Sequence, residues 1–395
     1  MTATRQVRRY PFSEAPGVDI DPLYGALRRD EPVSRVQLPY GEEAWLATRY
    51  DDVRTVLIDP RFSRAAAQGQ DQPRTREEIT YEGIIGLDPP EHTRLRKLVG
   101  KALTARRVNE MRENAVRIAN ACLDDLVAEG PSADLVEHFA MPFPVTVICE
   151  LLGVPVEDHV KFRVWTEGLT STAQPIMAQV EQLFGYIGGL VAQRREQPTE
   201  DLLGVLVHAR DEHDQLSEQE LLSIVGVGLL LTGSETVSTH IPNFLYALLK
   251  SPGHYEMLKA EPELIPAAVE ELLRLIPLNP AAMFPRYATE DVRFGDVVVR
   301  QGEPILVSLP GANRDPEIFT DPEDVDFRRA SNPHVAFGHG PHHCLGAQLA
   351  RMELQVALEA VTTRFPDLRL SGGDDGVEWK KGLLVRGPKV LRVRW

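Results

Sequence analysis

Phe337 to Gly346 reads FGHGPHHCLG, and the stretch after it, AQLARMELQVALEAVTTRF, spaces its apolar residues as a helix does until Pro366 stops it. Gly338 and Gly340 allow a tight turn ahead of Cys344, while Gly346 lets a backbone or a ligand approach closely. Cys344 therefore falls at or near a helix N-terminus, where exposed amides and the helix dipole favour a thiolate. Such a thiolate can act as a nucleophile or as a metal ligand; the bland alternative is a small buried hydrophobe. Cys122 and Cys149, each within an apolar helical pattern, fit that bland alternative well. Three cysteines spread over 395 residues cannot build a disulfide framework and suit a reducing compartment.

Outward from this loop the chain reads mostly as helix. Asn109 to Glu129, Val156 to Gly168, Gln179 to Arg195, Ser217 to Lys250 and Glu263 to Leu275 repeat apolar residues at three and four positions. Leu46 to Leu57 and the segments around Val33 and Val298 carry β-type or mixed patterns. The fold class expected is mainly α: a single large helical domain over residues 1–395 with a minor β-rich region. The longest predicted helix starts with a Ser217/Glu220 capping box, carries Pro242 as an expected kink and ends before Pro252. Its apolar middle is interrupted by Gly233, Ser234, Glu235 and Thr236. An acid in a buried helix has to be hydrogen-bonded, solvated through a channel or functional.

Composition narrows the function classes. Apolar residues at 43% and charged residues at 26% are ordinary globular proportions. Lys plus Arg number 43 against 58 Asp plus Glu, a net −15 that argues against a general nucleic-acid coat. The N-terminal MTATRQVRRYPF is followed by no apolar h-region. Leu221 to Leu231, an apolar-rich run, is well short of the roughly 20 residues that span a bilayer. A cytoplasmic protein with no membrane or nucleic-acid partner is expected.

The decapeptide matches F-G-x-G-x-H-x-C-x-G at every specified position and so resembles the haem-binding loop of the cytochrome P450 family. Three further segments carry the resemblance. Glu271 and Arg274 form E-x-x-R one helical turn apart, and the matching downstream arginine is Arg329 in VDFRR, where Val325 replaces the usual phenylalanine. Asp88 to Arg96, DPPEHTRLR, looks like the haem-edge helix, with His92 and Arg96 on one face. Together with Arg286 and His342 these two would grip the haem carboxylates. The third segment, Gly233 to Thr236, resembles the acid-alcohol pair of the central helix, in which Glu235 and Thr236 would supply protons for dioxygen cleavage. A threonine hydroxyl there can bond the carbonyl four residues back, that of Thr232, and bend the helix. Thr232 stands where alanine or glycine is usual, and Ser234 where a larger residue is common.

The resemblance implies haem b between the long central helix and the helix after the cysteine loop. Cys344 would be the iron ligand, with Phe337, Gly338 and Gly346 shaping its surroundings. It implies a monooxygenase that inserts one atom of dioxygen into a lipophilic small molecule such as a polyketide, terpenoid or cyclic peptide. By the same resemblance the substrate would be lined by Ile84, Ile85, Trp165, Leu231, Thr232, Asn279, Ala282, Phe284 and Leu384. No flavin or nicotinamide fingerprint is present, so electrons would come from a ferredoxin and its reductase serving a monomeric enzyme. Arg94, Lys97, Lys101, Arg106 and Arg107 form a basic cluster that would dock the acidic ferredoxin. Epoxidation, ring closure or phenol coupling by the same oxidant, a cysteine hydrolase using Cys344 with His342 or His343, and a haem protein without turnover are the competing readings.

Overall fold

The computed structural model describes residues 6–12, 17–77, 83–100, 103–159, 161–162, 165, 177–211, 216–279, 281–381 and 385–395. The strands are β1 (Arg8–Arg9), β2 (Val33–Gln37), β3 (Ala44–Ala47), β4 (Phe62–Ser63), β5 (Ser132–Asp134), β6 (Arg286–Ala288), β7 (Val292–Phe294), β8 (Val297–Val299), β9 (Pro304–Val307), β10 (Arg369–Leu370), β11 (Val377–Trp379) and β12 (Pro388–Arg394). The helices are α1 (Leu23–Asp30), α2 (Tyr50–Ile58), α3 (Glu91–Gly100), α4 (Ala105–Ala128), α5 (Pro142–Leu152), α6 (Met177–Glu196), α7 (Leu202–Asp211), α8 (Glu218–Lys250), α9 (Pro252–Ala260), α10 (Ile265–Leu275), α11 (Leu309–Ala312) and α12 (Ala347–Arg364). Two compact units divide the chain, residues 1–93 with 270–344 and residues 94–269 with 345–395. Neither is continuous in sequence, so no single cut separates them.

The first unit holds most of the β structure. A six-stranded sheet runs β1-β2-β3-β9-β6-β4, with β3 parallel to β9 and β6 antiparallel to it. Its core gathers Val33, Trp45, Ala47, Val299, Ile305 and Val307 from strands with Val53, Val56 and Leu57 from α2. Leu46 to Leu57, read as β-type or mixed, divides between β3 and α2. The α2 half buries Tyr50, Val53, Val56 and Leu57, a three-and-four spacing too short to stand out in the sequence.

The second unit is helical. α4 buries Val108, Ala115, Ile118, Ala119, Cys122, Leu123 and Leu126 on one stripe and packs on α12 and α5. α8 packs on α5 and α12, and β12 pairs with β5, β10 and β11 beside it. The capping box is formed: Glu220 donates its amide to Ser217 Oγ and Ser217 donates its own to Glu220 Oε2. α8 runs on through Pro242, and its turns over Ile224–Leu231 are wound as a π-helix. At 33 residues it is long and apolar enough to cross a bilayer, beyond the shorter run read from sequence, yet 65% of its most apolar window is buried inside the protein. It is the core helix that its all-round hydrophobicity implies. Of Val156 to Gly168 the described part begins as a 3-10 turn over Val156–Asp158 rather than as α-helix.

Candidate active site

In the first unit, Val335 to Cys344 folds back on itself. Gly338 donates its amide to Val335 O at 2.8 Å, His343 to Gly340 O at 3.0 Å, and Cys344 to Phe337 O at 2.8 Å. Gly338 and Gly340 have φ of 71° and 70°, the left-handed conformation that glycine adopts without penalty. At Gly340 space forbids a side chain as well: a Cβ would lie 2.7 Å from Ile58 Cγ2 and 2.8 Å from Leu57 O, at the end of α2. The turn presents Cys344 to solvent three residues before α12, whereas Cys122 and Cys149 are buried and their thiols are pushed up to about 12 by burial. Of the three, only Cys344 is placed to act as a thiolate. Phe337 is half-buried beside His334 and His343. Gly346 is the N-cap of α12.

A buried ion cluster fixes the run into this loop. Arg274 donates to Glu271 Oε2 from Nε at 2.8 Å and to Oε1 from Nη2 at 2.7 Å, and Arg329 Nε reaches Glu271 at 3.2 Å. The Asp326 amide and Asn332 Nδ2 complete the carboxylate's shell at 3.0 Å each. Burial alone would raise the Glu271 carboxyl, but Arg274, the Asp326 amide and Arg329 outweigh it and hold it low. Arg274 spends its remaining donors on the carbonyls of Asn313, Pro322 and Asp324, tying distant turns to α10. Sequence alone gave Glu271, Arg274 and Arg329; Asn332 and the carbonyl shell have no pattern by which to be found.

Beside the loop stands a group of imidazoles and guanidiniums. The rings of His92 and His342 lie 4.1 Å apart, and Arg286 opens β6 with its side chain buried. Burial, then the charges of His92, Arg286 and Arg64, push the His342 imidazole down to about 3; burial and Arg64 push the Arg286 guanidinium down to about 10. Asp88 offsets part of this charge, but its carboxylate is occupied by Ser63 Oγ and by the amides of Arg64 at 3.0 Å and Ala65 at 3.2 Å. Arg96 follows His92 by one turn of α3 and is half-buried. A buried cluster of imidazole and guanidinium donors suits carboxylates brought by a ligand. Its chemistry fits the two carboxylates of haem.

In the second unit, α8 bonds three of its own hydroxyls backwards. Thr232 Oγ1 donates to Gly228 O at 2.6 Å, Ser234 Oγ to Leu230 O at 2.6 Å and Thr236 Oγ1 to Thr232 O at 2.8 Å. Thr236 thus makes the backward bond expected of it, and Thr232 and Ser234 make the same bond alongside. Such bonds compete with helical amides, consistent with π winding just upstream. Glu235 is buried and ion-paired with Lys380, whose Nζ lies 2.7 Å from Oε1 and 3.0 Å from Thr239 Oγ1. Sequence reasoning missed Lys380 and Thr239: nothing local marks a lysine 145 residues away as the partner of Glu235.

The residues expected to line the substrate fall in both units. Ile84 and Ile85 sit half-buried on a 3-10 turn, Gly83–Gly86. Asn279 donates to Met283 Sδ at 3.6 Å, Ala282 is half-buried and Phe284 is exposed. Trp165 packs edge-on against Phe162 and donates to Gln182 Oε1 at 3.3 Å. Thr232 is exposed on α8. The Leu231 side chain and Leu384 lie outside the described residues. Within the basic cluster, Arg94 is paired with Glu220 and Arg106 with Glu110, and Lys101 lies outside the described residues.

Residues 148–390 match the family model described as Cytochrome P450. The chain is 50% identical over 392 residues to mycinamicin IV hydroxylase/epoxidase of Micromonospora griseorubida, covering 98% of both chains. It is 47% identical over 401 residues to nocardicin C N-oxygenase of Nocardia uniformis subsp. tsuyamanensis, covering both completely. A crystal structure of HinD with NMFT and NO superposes with a TM-score of 0.94 at 48% identity, covering 99% of this chain and 100% of that one.

Proposed function

The chain belongs to the cytochrome P450 family and is a haem-thiolate monooxygenase; on that premise we propose that it hydroxylates a lipophilic small molecule in natural-product biosynthesis. The observation that carries this reading is Cys344, exposed on a loop built from two left-handed glycines while the other two thiols are buried. Haem, when bound, supplies the oxygen-activating chemistry by which one atom of dioxygen enters the substrate. Cys344 Sγ would be the iron ligand, and His92, Arg96, Arg286 and His342 would hold the carboxylates of the macrocycle. Negative charge brought to His342 would lift its imidazole from the low value that burial and its cationic neighbours impose.

Glu235 and Thr236 would carry protons. Thr236 Oγ1 donates to Thr232 O, which leaves its lone pairs to accept from a water. Glu235, adjacent in sequence and held at Oε1 by Lys380, is the carboxylate that would take up a proton and relay it to that water. Relatives are named as a hydroxylase/epoxidase and as an N-oxygenase, so the side chains around the substrate would set the outcome. The enzyme would work in the cytoplasm with a ferredoxin and its reductase. Lys97 and Arg107 are the better candidates for contact with an acidic donor, since Arg94 and Arg106 are engaged within the chain.

Carbon monoxide added to the reduced protein tests the reading. A thiolate-ligated haem gives a strongly red-shifted Soret band, which Cys344→Ser abolishes and Cys122→Ser or Cys149→Ser leaves in place. A protein that takes up haem and shows no such band would overturn it.

A further inference from the structure

Phe284 has a φ of +61°, the left-handed region that bulky residues avoid. It also precedes Pro285, and a residue before proline is pushed toward extended backbone. Such strain persists only where the surroundings over-determine it, and it gathers at ligand clamps. Both sides of Phe284 are pinned. Two residues before it, the Ala282 amide donates to Tyr10 Oη at 2.6 Å; Tyr10 is buried, and Tyr24 Oη holds it at 3.1 Å. One residue after it, the Pro285 carbonyl accepts from Arg64 Nη1. The Arg64 guanidinium also donates to Ile85 O at 3.1 Å and lies 5.4 Å from the centre of the Phe284 ring. Arg64 is almost wholly buried, its position fixed by the neighbouring β4–β6 pairing and by its amide on Asp88. The ring it touches is one of the few large apolar side chains exposed among the described residues.

We propose that Tyr10 and Arg64 are positioning residues that hold the strained Phe284 ring as a fixed wall against the substrate, and so select substrates by bulk. This rests on the reading of Phe284 as a substrate-lining residue of a haem enzyme. Arg64 adds a second constraint, because its bonds to Ile85 and Pro285 fix the separation of the two segments expected to line the substrate. Releasing either pin lets the backbone at 284 relax and the ring yield to larger ligands. Replacing Phe284 by glycine removes both the ring and the strain.

The test titrates the haem-loaded protein with imidazole, 4-phenylimidazole and a biphenylmethyl imidazole, read by the Soret shift on iron ligation, and records melting temperatures in parallel. Tyr10→Phe and Arg64→Lys each improve binding of the biphenylmethyl compound relative to imidazole by about tenfold, the equivalent of about 1.4 kcal/mol. Arg64→Lys keeps the buried charge while losing the planar fork, so it serves where Arg64→Gln fails to fold. Phe284→Gly melts about 1–3 °C above Phe284→Ala, because only glycine is at ease with that φ. In the Tyr10→Phe background that difference disappears. An affinity ratio within twofold of wild type in both pin variants, or equal melting of the glycine and alanine variants, overturns the proposal while leaving the haem reading intact. A wild-type protein with neither an azole shift nor a carbon monoxide band would overturn both.

Discussion

Lys380 and Glu235 form a pair nearly removed from water, so its members stand or fall together. Breaking a buried ion pair by deleting one partner strands the other charge and costs about 3–5 kcal/mol. Lys380→Met is therefore expected to lower the urea-unfolding stability of the protein by about that amount, whereas Lys380→Met with Glu235→Gln recovers most of the loss. A loss that the second change does not repair would mean that Lys380 acts through packing rather than charge. What sequence could show at this scale was local. Cys344 stands among glycines in one decapeptide, and Glu271 and Arg274 share a helical turn. Lys380, Arg64 and Tyr10 reach partners 145, 221 and 272 residues away, distances across which one sequence carries no signal.

At the scale of elements, helices announced themselves by period and caps, as Ser217 and Glu220 do for α8 and the apolar stripe does for α4. The docking of the β11–β12 region on α8 did not, because it depends on the absence of a side chain. Glu235, Thr239 and Asn243 recur every four residues along one face of α8. Lys380 Nζ bonds the first two, Asn243 Nδ2 donates to Arg386 O at 2.8 Å, and the Lys380 amide donates to Gly387 O at 2.9 Å. A Cβ on Gly387 would lie 2.7 Å from Thr239 Cγ2 and 3.2 Å from Asn243 Oδ1. Gly387→Ala should thus cost about 1–3 kcal/mol by overpacking. Thr239→Ser deletes the offending methyl and keeps the hydroxyl for Lys380. The double variant is expected to melt above Gly387→Ala alone, and failure to do so would place the clash elsewhere.

For the whole molecule, two buried titratable groups on packed helices make stability depend on pH with opposite signs. His240 on α8 is held neutral by burial, its imidazole pushed down to about 4 from the ordinary 6.5. As pH falls below about 6.5 the unfolded chain takes up a proton that the folded one refuses, so stability is lost between about pH 6.5 and pH 4. Glu353 on α12 is raised well above 4.5 by burial, so its carboxyl stays protonated in the fold. As pH rises past about 4.5 the unfolded chain releases that proton, and stability is lost with rising pH until the folded group also ionises. Over most of the range from pH 4.5 to 6.5 the two slopes oppose each other. Glu353→Gln keeps the shape and removes the acid, so its stability relative to wild type should climb from pH 5 to pH 8. His240→Asn should gain relative to wild type in the other direction, from pH 6.5 down to pH 4, by roughly 3 kcal/mol over the window. Urea midpoints at several pH values measure both differences, and because each compares slopes, a constant packing cost of either substitution cancels. Curves that run parallel to wild type would show that these groups do not set the pH dependence of folding. The pattern was hidden in the sequence: His240 and Glu353 look like any histidine or glutamate on a helix until packing takes both from water.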